Sequence, residues 1–145
     1  MEVSYVNVPL EDGVLELTVP SEFFSYRPLT QAERVSSGTR SSLIKFGAIG
    51  RATSVYLDRD SGEVLSGVEP GDVALINTSM GKFFDCISRL AEIYPYYPAE
   101  SEHEDWEAAA QRVQDIVCEV DATAYQEGLF WYEFRWDVSM GDFHD

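Results

Sequence analysis

The rhythm of apolar and polar positions changes near Thr78. Before it, short apolar runs are broken by turn residues. Val14-Leu15-Glu16-Leu17 is one such run, ended by Pro20. Leu43-Ile44-Lys45-Phe46 reads as a strand closed by Gly47. Thr53–Leu57 and Glu63–Leu65 flank Asp58-Arg59-Asp60-Ser61-Gly62, the spacing of a hairpin with a longer loop. Val73–Ile76 follows a further turn, Glu69-Pro70-Gly71-Asp72. The stretch from Pro28 to Ser42 is polar and carries Ser36-Ser37-Gly38, so it reads as mostly loop. Three or four strands in succession, joined by short turns, predict an antiparallel meander.

After Thr78 the period becomes helical. Met80, Phe83, Phe84, Ile87, Leu90 and Ala91 recur at steps of three and four and form one apolar face. Thr78 or Ser79 is placed to cap this helix, and Pro95 marks its end. The next segment opens on Ser101-Glu102-His103-Glu104, which fits a capping box. Trp106, Ala109, Ala110, Val113, Val117 and Val120 then hold the same period. The last segment supports two readings. Phe130, Tyr132, Phe134, Trp136 and Val138 alternate with polar neighbours and Trp131, which says strand. Trp131, Phe134 and Val138 also share a helix face, but periodicity alone favours the strand. Helices following a meander predict an α+β fold, with the helices on the face or end of one sheet.

Composition narrows the function. The chain has 145 residues, 26 of them acidic and 10 basic, for a net charge of -16. That length suits one domain spanning 1–145. With 45% hydrophobic and 13% aromatic residues, it is too apolar for a disordered acidic tail. The charge argues against a general nucleic-acid binder or a protein docked on anionic membranes. It favours basic partners. The N-terminal stretch has no Lys or Arg before Arg27 and no apolar core of a secretory signal, and no run approaches the roughly 18 apolar residues of a membrane span. A cytoplasmic location is therefore expected, with Cys86 and Cys118 as buried free thiols.

The charge is unevenly placed. Residues 92–145 carry fourteen acids and two bases, a net of -12, whereas residues 26–60 carry three acids and six bases, a net of +3. The densest cluster is Glu100, Glu102, Glu104, Asp105 and Glu107. Acids at a helix start favour its dipole, but a net of -12 exceeds that need and costs self-repulsion.

The familiar catalytic and metal patterns are incomplete. Asp58-x-Asp60-x-Gly62 puts Gly at position five of a calcium loop and so reads as a turn. Asn77-Thr78-Ser79 is formally a glycosylation sequon and reads better as a strand end and helix cap. His103 beside Glu104 falls at an exposed helix start, His144 lies next to the C-terminus, and Cys86 has no base placed beside it. Gly47-x-x-Gly50 lacks the third glycine of a phosphate cradle. No catalytic residue, metal site or cofactor is expected.

Three stretches together resemble the SUKH superfamily of bacterial immunity proteins, and most of all its fourth family. They are Ser54–Asp58 with Ser61-Gly62-Glu63-Val64; Ala74–Met80 followed by Phe83; and Val120–Ala124 with Phe130-Trp131. Leu17 to Phe24 adds a weaker match, although Thr18-Val19 stands where the family has a glycine before Pro20. The resemblance spans about residues 17 to 141 and implies a SUKH-like α+β domain, with a mixed, mostly antiparallel sheet, helices packed beside it, and residues 129–140 helical. It also implies an immunity protein that binds and neutralises a cognate protein toxin of a polymorphic or contact-dependent system, many of which are nucleases or nucleic-acid deaminases. No catalytic residues come with it. The alternative is a regulatory protein-protein interaction module without a toxin partner, like the fungal relatives in cell-wall signalling; a small enzyme would need a constellation the chain lacks. For a toxin with a basic active-site face, Glu100, Glu102, Glu104, Asp105 and Glu107 are the expected recognition field. Tyr94, Tyr96 and Tyr97 are expected beside them as rigid contact area, or else packed at a helix end.

Overall fold

The structure is a computed structural model that describes residues 3–143. Two strands, β1 (Tyr5–Pro9) and β2 (Glu16–Pro20), form an antiparallel hairpin. Five more form an antiparallel meander in the order β3 (Tyr26–Val35), β4 (Leu43–Ile49), β5 (Thr53–Asp58), β6 (Val64–Glu69) and β7 (Asp72–Asn77). Three helices follow: α1 (Met80–Glu92), α2 (His103–Asp121) and α3 (Phe130–Ser139). The fold is α+β, as the sequence predicts. Among the described residues no helix is long and apolar enough to cross a membrane.

Alternation decides what each strand contributes. Ile44, Phe46, Val55, Val64 and Ile76 point to the face that packs against the helices. Their neighbours Leu43, Tyr56 and Leu65 form a smaller apolar cluster with Val35, Val73 and Leu75. A bridge from Leu10 to Ala32 and contacts of Val8 and Val19 tie the small hairpin into the main core.

The polar stretch after Pro28 is strand, not loop, up to Val35. Only Tyr26 and Ala32 are buried in β3, and its pairing with β4 shifts register between Pro28 and Glu33. A bulged border strand carries little apolar period, so alternation could not find it. Gly47 does not close β4 either; the strand continues to Ile49 through a register shift against β5.

Helix α1 starts as predicted, with Ser79 Oγ accepting from the Lys82 N–H at 3.2 Å. The start of α2 is shifted by one residue. Glu102 is the cap residue, and its N–H donates to Asp105 Oδ2 at 3.1 Å. Ser101 Oγ instead accepts from Trp106 Nε1 at 2.8 Å. Residues 130–139 are helical, in agreement with the family resemblance rather than the period-two reading. Trp131, Phe134 and Val138 are buried, whereas Trp136 is exposed, so the alternating aromatics never share a face. Beyond α3 the chain turns at Gly141, which has φ +86°. A Cβ there would lie 2.8 Å from the Trp106 ring, so glycine permits this close approach of backbone to ring.

Candidate partner-binding surface

A buried polar lock fixes the helices relative to the sheet. Asp121, at the end of α2, is 2% exposed. Its Oδ2 accepts from Asn77 Nδ2 at 3.0 Å and from the Thr78 N–H at 2.8 Å, and its Oδ1 accepts from Thr78 Oγ1 at 3.0 Å. Lys82 Nζ stands 3.8 Å from the same carboxylate. Asn77 Oδ1 accepts from Trp131 Nε1 at 2.9 Å. The strand end, the α2 terminus and the first turn of α3 therefore meet at one side chain, Asn77. Every polar atom named has a partner, which is the condition for burying such a network.

This lock has the chemistry of a fastener rather than of a catalyst. Cys86 lies beside it with Asn77 Nδ2 at 3.5 Å, and burial pushes its thiol up to about 12, so the nucleophilic thiolate is suppressed. Cys118, expected to be buried, is exposed on α2; it directly follows the buried Val117 and so falls one step off the apolar face. Asp58 closes the β5–β6 turn: its Oδ1 accepts from the Asp60 and Ser61 N–H groups, and its Oδ2 from Arg40 Nη1 at 2.7 Å. Gly62, at φ +82°, completes that turn. Among the described residues no group of His, Cys, Asp and Glu is arranged to hold a metal ion. His103 is exposed at the start of α2, and His144 lies outside the described residues.

The five expected acids are all exposed, but they are not equivalent. Asp105 and Glu102 close the helix cap. Glu107 Oε1 accepts from Arg135 Nη2 at 2.6 Å, and Arg135 is itself buried. Glu100 and Glu104 have no hydrogen bond or ion pair from a side chain among the described residues. The tyrosines also divide. Tyr96 and Tyr97 are 8% and 4% exposed and belong to the core. Tyr96 OH donates to the Leu90 carbonyl at 3.1 Å, and Tyr97 OH to the Val138 carbonyl at 2.7 Å. They supply no surface for a partner, because the chain after Pro95 folds back over α1 and α3. Tyr94 stays partly exposed, with its ring 5.7 Å from that of Phe24.

A comparison with protein-family models matches the SUKH-4 immunity protein family over residues 12–137. The chain belongs to the SUKH-4 immunity protein family. Comparison with curated proteins and with solved structures gives no significant match. In this SUKH-4 protein, the three stretches that carry the resemblance contribute Asn77, Asp121 and Trp131 to the lock and Asp58 to the turn. The family motifs thus hold the fold, and membership implies a cognate toxin partner without saying where it binds.

The surface that sequence reasoning missed is the outer side of α3 in this SUKH-4 protein. Tyr132, Glu133, Trp136, Asp137 and Met140 face away from the core. Trp136 is 48% exposed and Met140 68%. The Arg135 guanidinium lies 5.5 Å from the centre of the Trp136 ring. On the other flank, Phe24 packs its ring 4.7 Å from Phe134 and 4.6 Å from Phe143. Phe24 has φ +56°, a left-handed conformation that a bulky residue rarely adopts, held here by the rings around it. The missed signal was available: once residues 129–140 are helical, the pairs Tyr132/Trp136 and Glu133/Asp137 fall one turn apart, off the buried face.

Proposed function

We propose that the protein neutralises a cognate toxin by stoichiometric binding in the cytoplasm, laying the acidic surface of its C-terminal third against a basic active-site face of a nuclease or nucleic-acid deaminase. The observation that carries this reading is the unmatched charge. Residues 92–145 hold a net of -12 from fourteen acids and two bases. Of the two bases, Arg135 is already paired with Glu107. Glu100, Glu104, Glu133 and Asp137 are exposed and form no ion pair with the described residues. Such a field opposes folding and raises association with a cationic partner roughly ten- to a thousand-fold. A basic cleft that attracts phosphate would attract this surface equally well, and its occupation blocks substrate by bulk and by charge. Exposed Trp136, beside Arg135 and Tyr132, supplies the residue types in which binding energy concentrates.

The test is co-expression with the product of an adjacent toxin-like reading frame. Growth is restored by the wild type. The charge-reversed Glu100→Lys/Glu104→Lys protein associates on the order of ten-fold more slowly at low salt, with the difference fading as salt rises. Those two acids are chosen because reversing Asp105 or Glu107 would also break the helix cap or strand Arg135. No rescue by the wild type contradicts the reading; an unchanged association rate removes these acids from the interface.

A further inference from the structure

The acidic surface of the C-terminal third meets an aromatic wall at one place. A cleft of about 170 Å³ opens between the Phe23–Tyr26 turn and α3. Phe24, Phe130, Phe134 and Phe143 form its walls, and Glu133 and Asp137 stand among its lining residues. Neither carboxylate has an ion-pair partner among the described residues. Tyr26, 4% exposed, lines the same cleft and has a hydroxyl without a hydrogen-bond partner among the described residues.

We propose that this cleft receives an arginine side chain of the partner protein, its guanidinium stacked on the Phe24 and Phe143 rings and paired with the Glu133 and Asp137 carboxylates. The inference rests on the binding function proposed above and gives it an anchor point. Aromatic faces attract a cation, and a planar guanidinium stacks on them better than a compact ammonium does. Carboxylates on adjacent turns of α3 supply the acceptors that a forked donor needs. An apolar ligand would leave both carboxylates unpaired at the edge of a partly desolvated cleft, and an anionic one would be repelled. The surroundings of Asp137 agree: partial burial, then Asp142 and Glu133, raise its carboxyl above the ordinary value, and a cation seated there would offset both effects. Phe24, with its left-handed backbone, lines the cleft just ahead of β3.

The test needs no toxin. N-acetyl-arginine amide is titrated into the full-length protein while the ring resonances of Phe24 and Phe143 are followed by NMR. Saturable shifts are expected, with the lysine analogue binding several-fold more weakly. Glu133→Gln/Asp137→Asn, which alters only exposed side chains, is expected to weaken the arginine probe on the order of ten-fold. Glu69→Gln/Asp72→Asn, which removes the same charge from the β6–β7 turn, leaves it unchanged. Ring resonances that do not respond, or that respond equally in Glu133→Gln/Asp137→Asn, overturn the proposal while leaving toxin neutralisation standing. Loss of growth rescue alone, with the probe still seated, overturns the neutralisation reading and not the cleft.

Discussion

The two tryptophans of α3 have opposite surroundings. Trp131 is buried, with its indole N–H given to Asn77, and through Asn77 it is linked to Asp121. Trp136 is half exposed, touching Arg135 and Tyr132 at the edge of the acidic surface. The acids near them divide in the same way. Asp121 accepts three hydrogen bonds in the interior, whereas Asp137 has no ion-pair partner among the described residues and is crowded by Asp142 and Glu133. The lock on the inner side of the helix pairs each polar group it buries. The outer side accumulates like charge and leaves it uncompensated. Stability alone would not favour the second arrangement, so the outer side is where a partner is to be sought.

Substitutions sharpen this contrast, and the largest effect belongs to the lock. Asp121→Ala strands Asn77 Nδ2 and the Thr78 N–H in the interior and is expected to cost about 3 kcal/mol or more in chemical denaturation. Trp131→Phe keeps an aromatic ring but leaves Asn77 Oδ1 unpaired, for a loss of about 2 kcal/mol by the same measurement. A change below about 0.5 kcal/mol in either case would show that the network does not fasten the helices.

Arg40→Ala tests the turn motif, at about 1 kcal/mol near neutral pH. Burial raises the Asp58 carboxyl, but Arg40 and the N–H groups of Asp60 and Ser61 outweigh burial and leave it below the ordinary value. A carboxyl lowered in the folded state stabilises the protein above its unfolded pKa, and that contribution is lost as pH falls through the folded one. The stability gap between wild type and Arg40→Ala therefore narrows below about pH 4. A gap that widens there contradicts the assignment. Smallest in stability is Trp136→Ala, at about 0.5 kcal/mol from the lost contact with the Arg135 guanidinium. Its effect on toxin affinity is expected to be ten-fold or more, the reverse of Trp131→Phe.

The parts of this fold that apolar period could reveal were the parts with one wet and one dry face. The β5–β6 hairpin, buried on both faces through Val55 and Tyr56, and β7 were legible instead as apolar runs between turn residues, whereas helices α1 and α2 have that one-faced form. Strand β3 does not, because its register shift and sparse burial erase the alternation. Strand β1 was missed for a related reason: of Tyr5–Pro9 only Val8 is buried. In α3 the sequence carries two periods at once, and only packing against α2 and β7 selects between them. The candidate surface was legible as charge but not as shape. Glu100 and Glu104 stand free, as their cluster suggested, yet nothing in the sequence separates them from Glu107, whose partner Arg135 is 28 residues away. Tyr96 and Tyr97 look identical to Tyr94 in a string of letters, and differ only because the chain folds their hydroxyls onto Leu90 and Val138.

The most direct measurement is a stoichiometric titration of the toxic product's own activity with this protein. Neutralisation by binding gives a linear fall to zero at one equivalent, with the protein recovered chemically unchanged from the complex. Inactivation by a small fraction of an equivalent would reveal a catalyst, and undiminished activity at excess would contradict neutralisation by binding.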